Sequence, residues 1–251
     1  MAVRRRWRRR LSIADNSGPA PASGEVRGFE ARTGALRWTF DPVPQDPRDP
    51  AAATWKDGSA ARTGGANVWS VMVADPERDL VFLPTSSPAP DYFGGMRRGE
   101  NRYGNSVVAL RGSTGKVVWH FQTVHHDLWD YDNAAPPALT TVVRNGARVP
   151  AVLQATKTGM LFVLHRETGE PLFPVQERPV PKSTVPGEEA SPTQPFATRL
   201  SPHAYSPSEA WGPTPEGSTA TGIAARTPPA ASPTGSTRAW KARPTSCAAG
   251  C

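Results

Sequence analysis

Three stretches of the sequence repeat one pattern, and this repetition restricts the chain to folds built from successive antiparallel hairpins. They read VRGFEARTGALRWTF (26–40), VVALRGSTGKVVWHF (107–121) and LFVLHRETGEPLFPV (161–175). Each contains an alternating strand, a polar turn that closes on Thr-Gly, and a second strand. The glycine supplies the positive φ that a tight hairpin needs, and the threonine hydroxyl can brace the turn.

In the first two repeats a tryptophan, Trp38 or Trp119, follows the glycine by four residues. This spacing places a large ring on the strand after the hairpin, where it can wedge against a neighbouring unit. Further strands are predicted at 68–74, 79–85 and 149–156, and helical periodicity is nearly absent. The pattern predicts an all-β fold of radially repeated sheets, a β-propeller, and a β-sandwich is the alternative.

The two ends of the chain differ from this pattern. Residues 1–10 are a basic N-terminal extension with six arginines, and residues 215–251 are a low-complexity tail that is poor in bulky apolar side chains. We expect both to be disordered, because neither can bury enough surface to offset its ordering entropy. The net charge of +7 comes from these ends, so the sequence does not favour a nucleic-acid partner. The chain contains no transmembrane segment, and no export signal is visible.

The segment TVHHDLWDYD (123–132) concentrates ionisable and aromatic residues between two strand-like runs. On the residues alone, it is either a metal or cofactor site or a polar turn pinned by tryptophan. His125 and His126 suggest zinc, but adjacent histidines on a strand point apart and no third ligand is spaced to join them. We therefore interpret both histidines as packing or supporting groups.

The hairpins and the segments between them resemble the pyrroloquinoline-quinone-dependent (quinoprotein) dehydrogenases, in particular the glucose dehydrogenase branch. The resemblance is carried by the motifs ADN, NVWS, TSSPAPD, HHDLWDYD and QATKTG, in this order, and it spans residues 11–214. It implies that these residues form part of an eight-bladed propeller of the quinoprotein type. The rest of such a propeller would need a longer chain, so we expect a fragment of three to four blades.

The resemblance also implies roles for individual residues. Asp130 would be the active-site base and a metal neighbour, and Lys157 would stabilise negative charge on the quinone oxygens. Trp69 would lie flat under the cofactor ring, and Asn67 would reach the same pocket. The divalent ion, Ca²⁺ or Mg²⁺, would take oxygens of Asp15, Asn16 and Asp130, with Ser87 as a further candidate.

The function implied by the resemblance is oxidation of a sugar or polyol hydroxyl. Hydride would pass to pyrroloquinoline quinone, and electrons would leave to a membrane quinone at the periplasmic face of the inner membrane. Two alternatives remain. One is a non-catalytic propeller fragment without turnover, and the other is a generic propeller interaction module.

Overall fold

The computed structural model describes residues 2–5 and 22–198, and within them the strands form four separate antiparallel sheets. The first sheet contains β1 (Ala2–Arg5), β2 (Val26–Phe29) and β3 (Leu36–Phe40). The second contains β4 (Val73–Asp75), β5 (Leu80–Pro84), β6 (Ser106–Arg111) and β7 (Val117–Gln122). The third contains β8 (Ala138–Arg144), β9 (Ala147–Ala155) and β10 (Leu161–His165), and the fourth β11 (Val175–Pro179) and β12 (Thr193–Ala197).

The three Thr-Gly turns have the same geometry, as the repeats predict. Gly34, Gly115 and Gly169 have φ values of 72°, 71° and 74°. The amide of each donates to the carbonyl four residues earlier at 2.7–2.9 Å. The threonine hydroxyl before each glycine accepts the amide of the residue after it at 3.3–3.4 Å. The threonine therefore braces the turn at all three sites.

Each docking tryptophan is buried against the turn of the next repeat. A Cβ added to Gly115 would lie 2.5 Å from the Trp38 indole, and one added to Gly169 would lie 2.5 Å from the Trp119 indole. Trp38 Nε1 donates to the carbonyl of Gly112 at 2.8 Å, and Trp119 Nε1 donates to that of Arg166 at 3.1 Å. The rings thus lie between consecutive sheets, as the spacing predicts.

Two apolar clusters fill the spaces between neighbouring sheets. One packs side chains of β2 and β3 against those of β5 and β6, and it includes Trp38. The other packs β5, β6 and Trp119 against β9 and β10. The core is therefore a series of layers between sheets, which fixes each sheet relative to the next.

The structure corrects two expectations about local structure. The strand predicted at 68–74 is formed only from Val73 onward, because residues 66–70 bond to loops instead: Ala66 N donates to Ser87 O, and Ser70 Oγ to Ala134 O. Residues Ala2–Arg5, expected to lack stable structure, form a strand whose backbone pairs with the exposed edge of β2. The tail at 215–251 lies outside the described residues.

Candidate functional site

The site is centred on the loop between β7 and β8, which carries Asp130. Asp130 has a φ of 58°, in the left-handed region that aspartate tolerates better than most residues. The carboxylate of Asp127 accepts the amide of Trp129 at 2.9 Å and that of Tyr131 at 2.6 Å. The two residues on either side of Asp130 are therefore held by a single buried side chain.

Lys157 lies in the turn between β9 and β10 and reaches across to this loop. Its Nζ lies 2.8 Å from the Asp130 carbonyl oxygen, 3.3 Å from Asp130 Oδ2 and 3.1 Å from Asp132 Oδ2. Two residues that sequence reasoning selected from separate motifs are thus in direct contact. The cation lies between two carboxylates at the same end of neighbouring sheets.

Asp132 links more of the site than any other side chain, and sequence reasoning missed it. Besides contacting Lys157, its Oδ2 accepts Trp69 Nε1 at 3.1 Å and its Oδ1 accepts the amide of Ser87 at 2.7 Å. Its side chain is 11% exposed. In the sequence it is only a second carboxylate two positions after Asp130, and its contacts with Trp69 and Ser87 depend on the tertiary arrangement of the loops.

Trp69 and Asn67 approach the site from the segment before β4. Trp69 is 40% exposed, although its indole nitrogen is held by Asp132. Asn67 is half-buried and bonds to the neighbouring loop, where its Oδ1 accepts Ser86 Oγ at 3.0 Å and its carbonyl accepts the Ser86 amide at 3.1 Å. An indole fixed at one edge and partly open to solvent provides a flat surface on which a planar ring can stack.

Ser87 and Tyr92 belong to the loop between β5 and β6. Ser87 is buried, and its backbone amide contacts Asp132 rather than Asp130. Tyr92, a second residue that the sequence did not single out, donates its hydroxyl to Asp130 Oδ2 at 3.2 Å. This loop therefore contributes one contact to each of the two central carboxylates.

The environment of the site raises the pKa values of both Asp130 and Lys157. Burial, followed by repulsion from Asp132, raises the pKa of Asp130 to about 6, although Lys157 opposes the rise. Burial acts to lower the pKa of Lys157, but the Asp132 and Asp130 carboxylates outweigh it and raise that pKa above its ordinary value. A carboxylate with a raised pKa beside a fixed cation can accept a proton from a hydroxyl near neutral pH.

The two histidines make contacts within the protein. His126 is buried, its Nδ1 lies 2.9 Å from Asn101 Oδ1, and burial lowers its pKa to about 4. His125 bridges Gln122 at 2.8 Å and Glu177 at 3.1 Å through its two ring nitrogens. These contacts agree with the interpretation of both as packing or supporting groups.

The predicted ion site is only partly within the described residues. Asp15 and Asn16 lie outside them, so the structure does not bear on their role. In the part of the chain that the structure describes, no cluster of three or more His, Cys, Asp or Glu side chains is arranged to hold a metal ion. In the same part, no helix is long and apolar enough to cross a membrane.

Comparison with known proteins identifies similar sequences and structures. The family model described as "PQQ: Glucose/ethanol/alcohol dehydrogenase, beta-propeller domain" matches residues 10–233. The quinoprotein glucose dehydrogenase of Escherichia coli (strain K12) is 42% identical over 187 residues, which cover 74% of this chain and 23% of that protein. The quinate/shikimate dehydrogenase (quinone) of Acinetobacter baylyi is 38% identical over 208 residues, covering 81% and 25%.

Among solved structures, the quinohemoprotein alcohol dehydrogenase from Comamonas testosteroni is similar to this chain. It matches with a TM-score of 0.56 and 29% identity, over 70% of this chain and 28% of that one. The chain thus spans about a quarter of the length of the curated relatives it matches. Together these similarities confirm the prediction of an incomplete β-propeller.

Proposed function

This chain belongs to the family of PQQ-dependent glucose, ethanol and alcohol dehydrogenase β-propeller domains, and on that premise we propose that its site binds pyrroloquinoline quinone beside a divalent cation and oxidises a hydroxyl group of a sugar or polyol. The observation that carries this proposal is the convergence of Asp130, Asp132, Lys157 and Trp69. They come from three separate loop segments and meet through contacts of 3.3 Å or less. Side chains that lie on unrelated surface turns would not be in contact in this way.

The residues present fit a planar anionic quinone. Trp69 is partly exposed, and its indole nitrogen is held by Asp132, so the ring is oriented before a ligand arrives. Lys157 offers a cation that can stabilise negative charge on quinone oxygens. When bound, the quinone would supply the two-electron acceptor that no protein side chain provides.

Asp130 is the proposed base. Its carboxylate is held through Oδ2 by Tyr92 and Lys157. With a pKa of about 6 it is largely ionised at neutral pH and basic enough to take a hydroxyl proton. A substrate hydroxyl that donates to this carboxylate would be held in the same site as the cofactor.

We further propose that a Ca²⁺ or Mg²⁺ ion is held by oxygens of Asp130, Asp15 and Asn16, with Ser87 nearby. These are the hard oxygen ligands that such cations prefer. A cation beside Asp130 would favour the ionised carboxylate and lower its pKa. Electron transfer to a membrane quinone and a periplasmic location belong to this proposal, and the quinone-linked name of one relative supports the acceptor.

The test is a titration of pyrroloquinoline quinone into protein loaded with Ca²⁺ or Mg²⁺, followed by tryptophan fluorescence. We expect saturable quenching that is strongly reduced in Trp69→Ala and Lys157→Gln and unchanged in Lys116→Gln, a control lysine exposed in another Thr-Gly turn. Asp130→Asn should keep most of the quinone binding, because the amide retains an oxygen ligand. The same variant should abolish dye-linked glucose oxidation, because an amide cannot act as a base.

The other outcomes decide between the alternatives. Absence of quenching would leave a propeller that does not bind quinone, and equal quenching in Trp69→Ala would mean that bound quinone does not contact this indole; either result would refute the proposed cofactor site. Quenching without any oxidation of glucose, quinate or glycerol would support a binding-competent but non-catalytic domain. Comparing these three substrates also tests the substrate class.

A further inference from the structure

A buried carboxylate that takes no part in the proposed chemistry controls the backbone on both sides of the proposed base. We propose that Asp127 is a positioning residue that holds Asp130 in its left-handed conformation and thereby sets where its carboxylate lies. This inference rests on the proposed function, because it assigns a role relative to Asp130.

The hydrogen bonds of Asp127 surround Asp130 in the chain. Oδ1 accepts the amide of Trp129 at 2.9 Å, and Oδ2 accepts the amide of Tyr131 at 2.6 Å. Asn105 Nδ2 donates to the same Oδ2 at 2.8 Å. An aspartate that bonds backbone amides two and four residues ahead closes a tight local turn, and the residue between those amides has little freedom left.

The burial of Asp127 argues against an ordinary polar turn. Asp127 is 1% exposed, and burial raises the pKa of its carboxyl. Removing a carboxylate from water is costly unless donors replace the solvent. A carboxylate in a surface turn could accept the same two amides without this desolvation cost. The buried position of Asp127 therefore indicates that it restricts the conformation of the loop as well as closing the turn.

Arg97 extends this support to the neighbouring loop. Its side chain is fully buried, and Nη2 donates to the carbonyls of Asp127 at 2.5 Å and of Pro90 at 3.2 Å. Pro90 lies two residues before Tyr92, whose hydroxyl contacts Asp130. The guanidinium therefore joins the loop that carries Asp130 to the loop that carries its partner Tyr92.

The substitution Asp127→Asn tests this role, because it is isosteric and leaves one acceptor oxygen. Since Tyr131 and Asn105 donate to the same oxygen, we expect the asparagine oxygen to stay with them and its amide group to face the Trp129 N–H. Amide exchange at Trp129 should then become at least about tenfold faster, while Tyr131 stays protected. The Trp129 amide thus becomes a site-specific reporter of the lost contact.

A second measurement asks whether the change reaches Asp130. Lys157 Nζ bonds to the carbonyl of Asp130 as well as to Asp132, so a displaced Asp130 should leave this lysine with fewer partners and more accessible. We expect acetylation of Lys157, measured relative to the exposed Lys116, to become several-fold faster in Asp127→Asn. Asn105→Gly removes a side-chain donor to Asp127 and to the Tyr131 carbonyl, and since residue 105 has a φ of 49° glycine is tolerated there. We expect a smaller rise in Lys157 acetylation in that variant.

Asp75→Asn is the matched control, because Asp75 is another buried carboxylate but bonds to Arg78 in its own hairpin and to Arg166 of the next sheet. It should lower stability without changing exchange at Trp129 or acetylation at Lys157. Three results would overturn the proposal: an unchanged Trp129 amide in Asp127→Asn, Lys157 acetylation unchanged in both loop variants, or equal acceleration in Asp75→Asn. The quinone titration reports separately on the proposed function, so a failure there leaves these results interpretable.

Discussion

Asp130→Asn should make the protein more stable at neutral pH, although we expect it to abolish turnover. The pKa of Asp130 rises from 3.8 to about 6, chiefly through burial and then through repulsion from Asp132. Keeping this carboxylate ionised at pH 7.5 costs the folded state up to about 3 kcal/mol relative to the same carboxylate in the unfolded chain. Because Asp130 is only about half-buried, solvent screening reduces this to about 1 kcal/mol.

The sign of the pH dependence follows from the direction of the shift. The folded protein holds the proton more tightly than the unfolded chain, so this group contributes stability below pH 3.8 that is lost as the pH rises through about 6. Asparagine is uncharged throughout and tolerates the φ of 58° at this position. The variant should therefore match the wild type near pH 3.5 and exceed it by about 1 kcal/mol at pH 7.5.

Urea unfolding at the two pH values, without added cation, measures the difference directly. Asp132→Asn is the matched control: Asp132 accepts Trp69 Nε1 on one oxygen and the Ser87 amide on the other. An asparagine amide group would face one of these donors, so we expect a loss of about 1–2 kcal/mol at pH 7.5. A less stable Asp130→Asn at pH 7.5, or an equal effect at both pH values, would refute the electrostatic reasoning.

Three further predictions concern the contacts between sheets and the C-terminal tail. Gly115→Ala should lower the free energy of unfolding by about 3 kcal/mol, because its Cβ would lie 2.5 Å from the Trp38 indole. Gly34→Ala, with a similar φ of 72° and open space around it, should cost only about 1 kcal/mol, and equal losses in urea unfolding would contradict the docking interpretation. Arg166→Met should cost about 2 kcal/mol in the same assay, because it removes one of the two cations that pair with the buried Asp75 carboxylate and leaves only Arg78. Residues 215–251 should exchange their amide hydrogens rapidly, and strong protection there would contradict the expected disorder.

The fold was predictable because its repeating unit is local. Thr-Gly turns and the tryptophan four residues later are visible in the sequence, and they determine both the hairpin and the docking contact. The strand predicted at 68–74 was wrong because contacts with distant residues determine the backbone there. An alternating apolar pattern predicts a strand, but the bonds of Ala66 and Ser70 to distant loops override it.

The site was predictable only where a motif carried it. Asp130, Lys157 and Trp69 were found because their motifs resemble those of a known family, and the structure brings them together. Asp132 and Tyr92 were missed because their importance lies in contacts with residues 25 to 63 positions away in sequence, which no local pattern records. Hydrogen bonds over such distances depend on the tertiary arrangement of the loops.

The tryptophan contact between sheets also affects how the number of repeat units, each a sheet with its Thr-Gly turn, can change during evolution. Trp38 and Trp119 each bond to the carbonyl that lies three residues before the glycine on which their ring rests. Each ring therefore docks on the turn of the unit that follows it, and the three Thr-Gly turns have the same backbone geometry. Duplication of one unit in the gene would supply the new copy with both a ring to dock and a turn to receive one. The tryptophan contact by itself therefore places no limit on gain or loss of whole units, and any such limit lies in the apolar packing between neighbouring sheets.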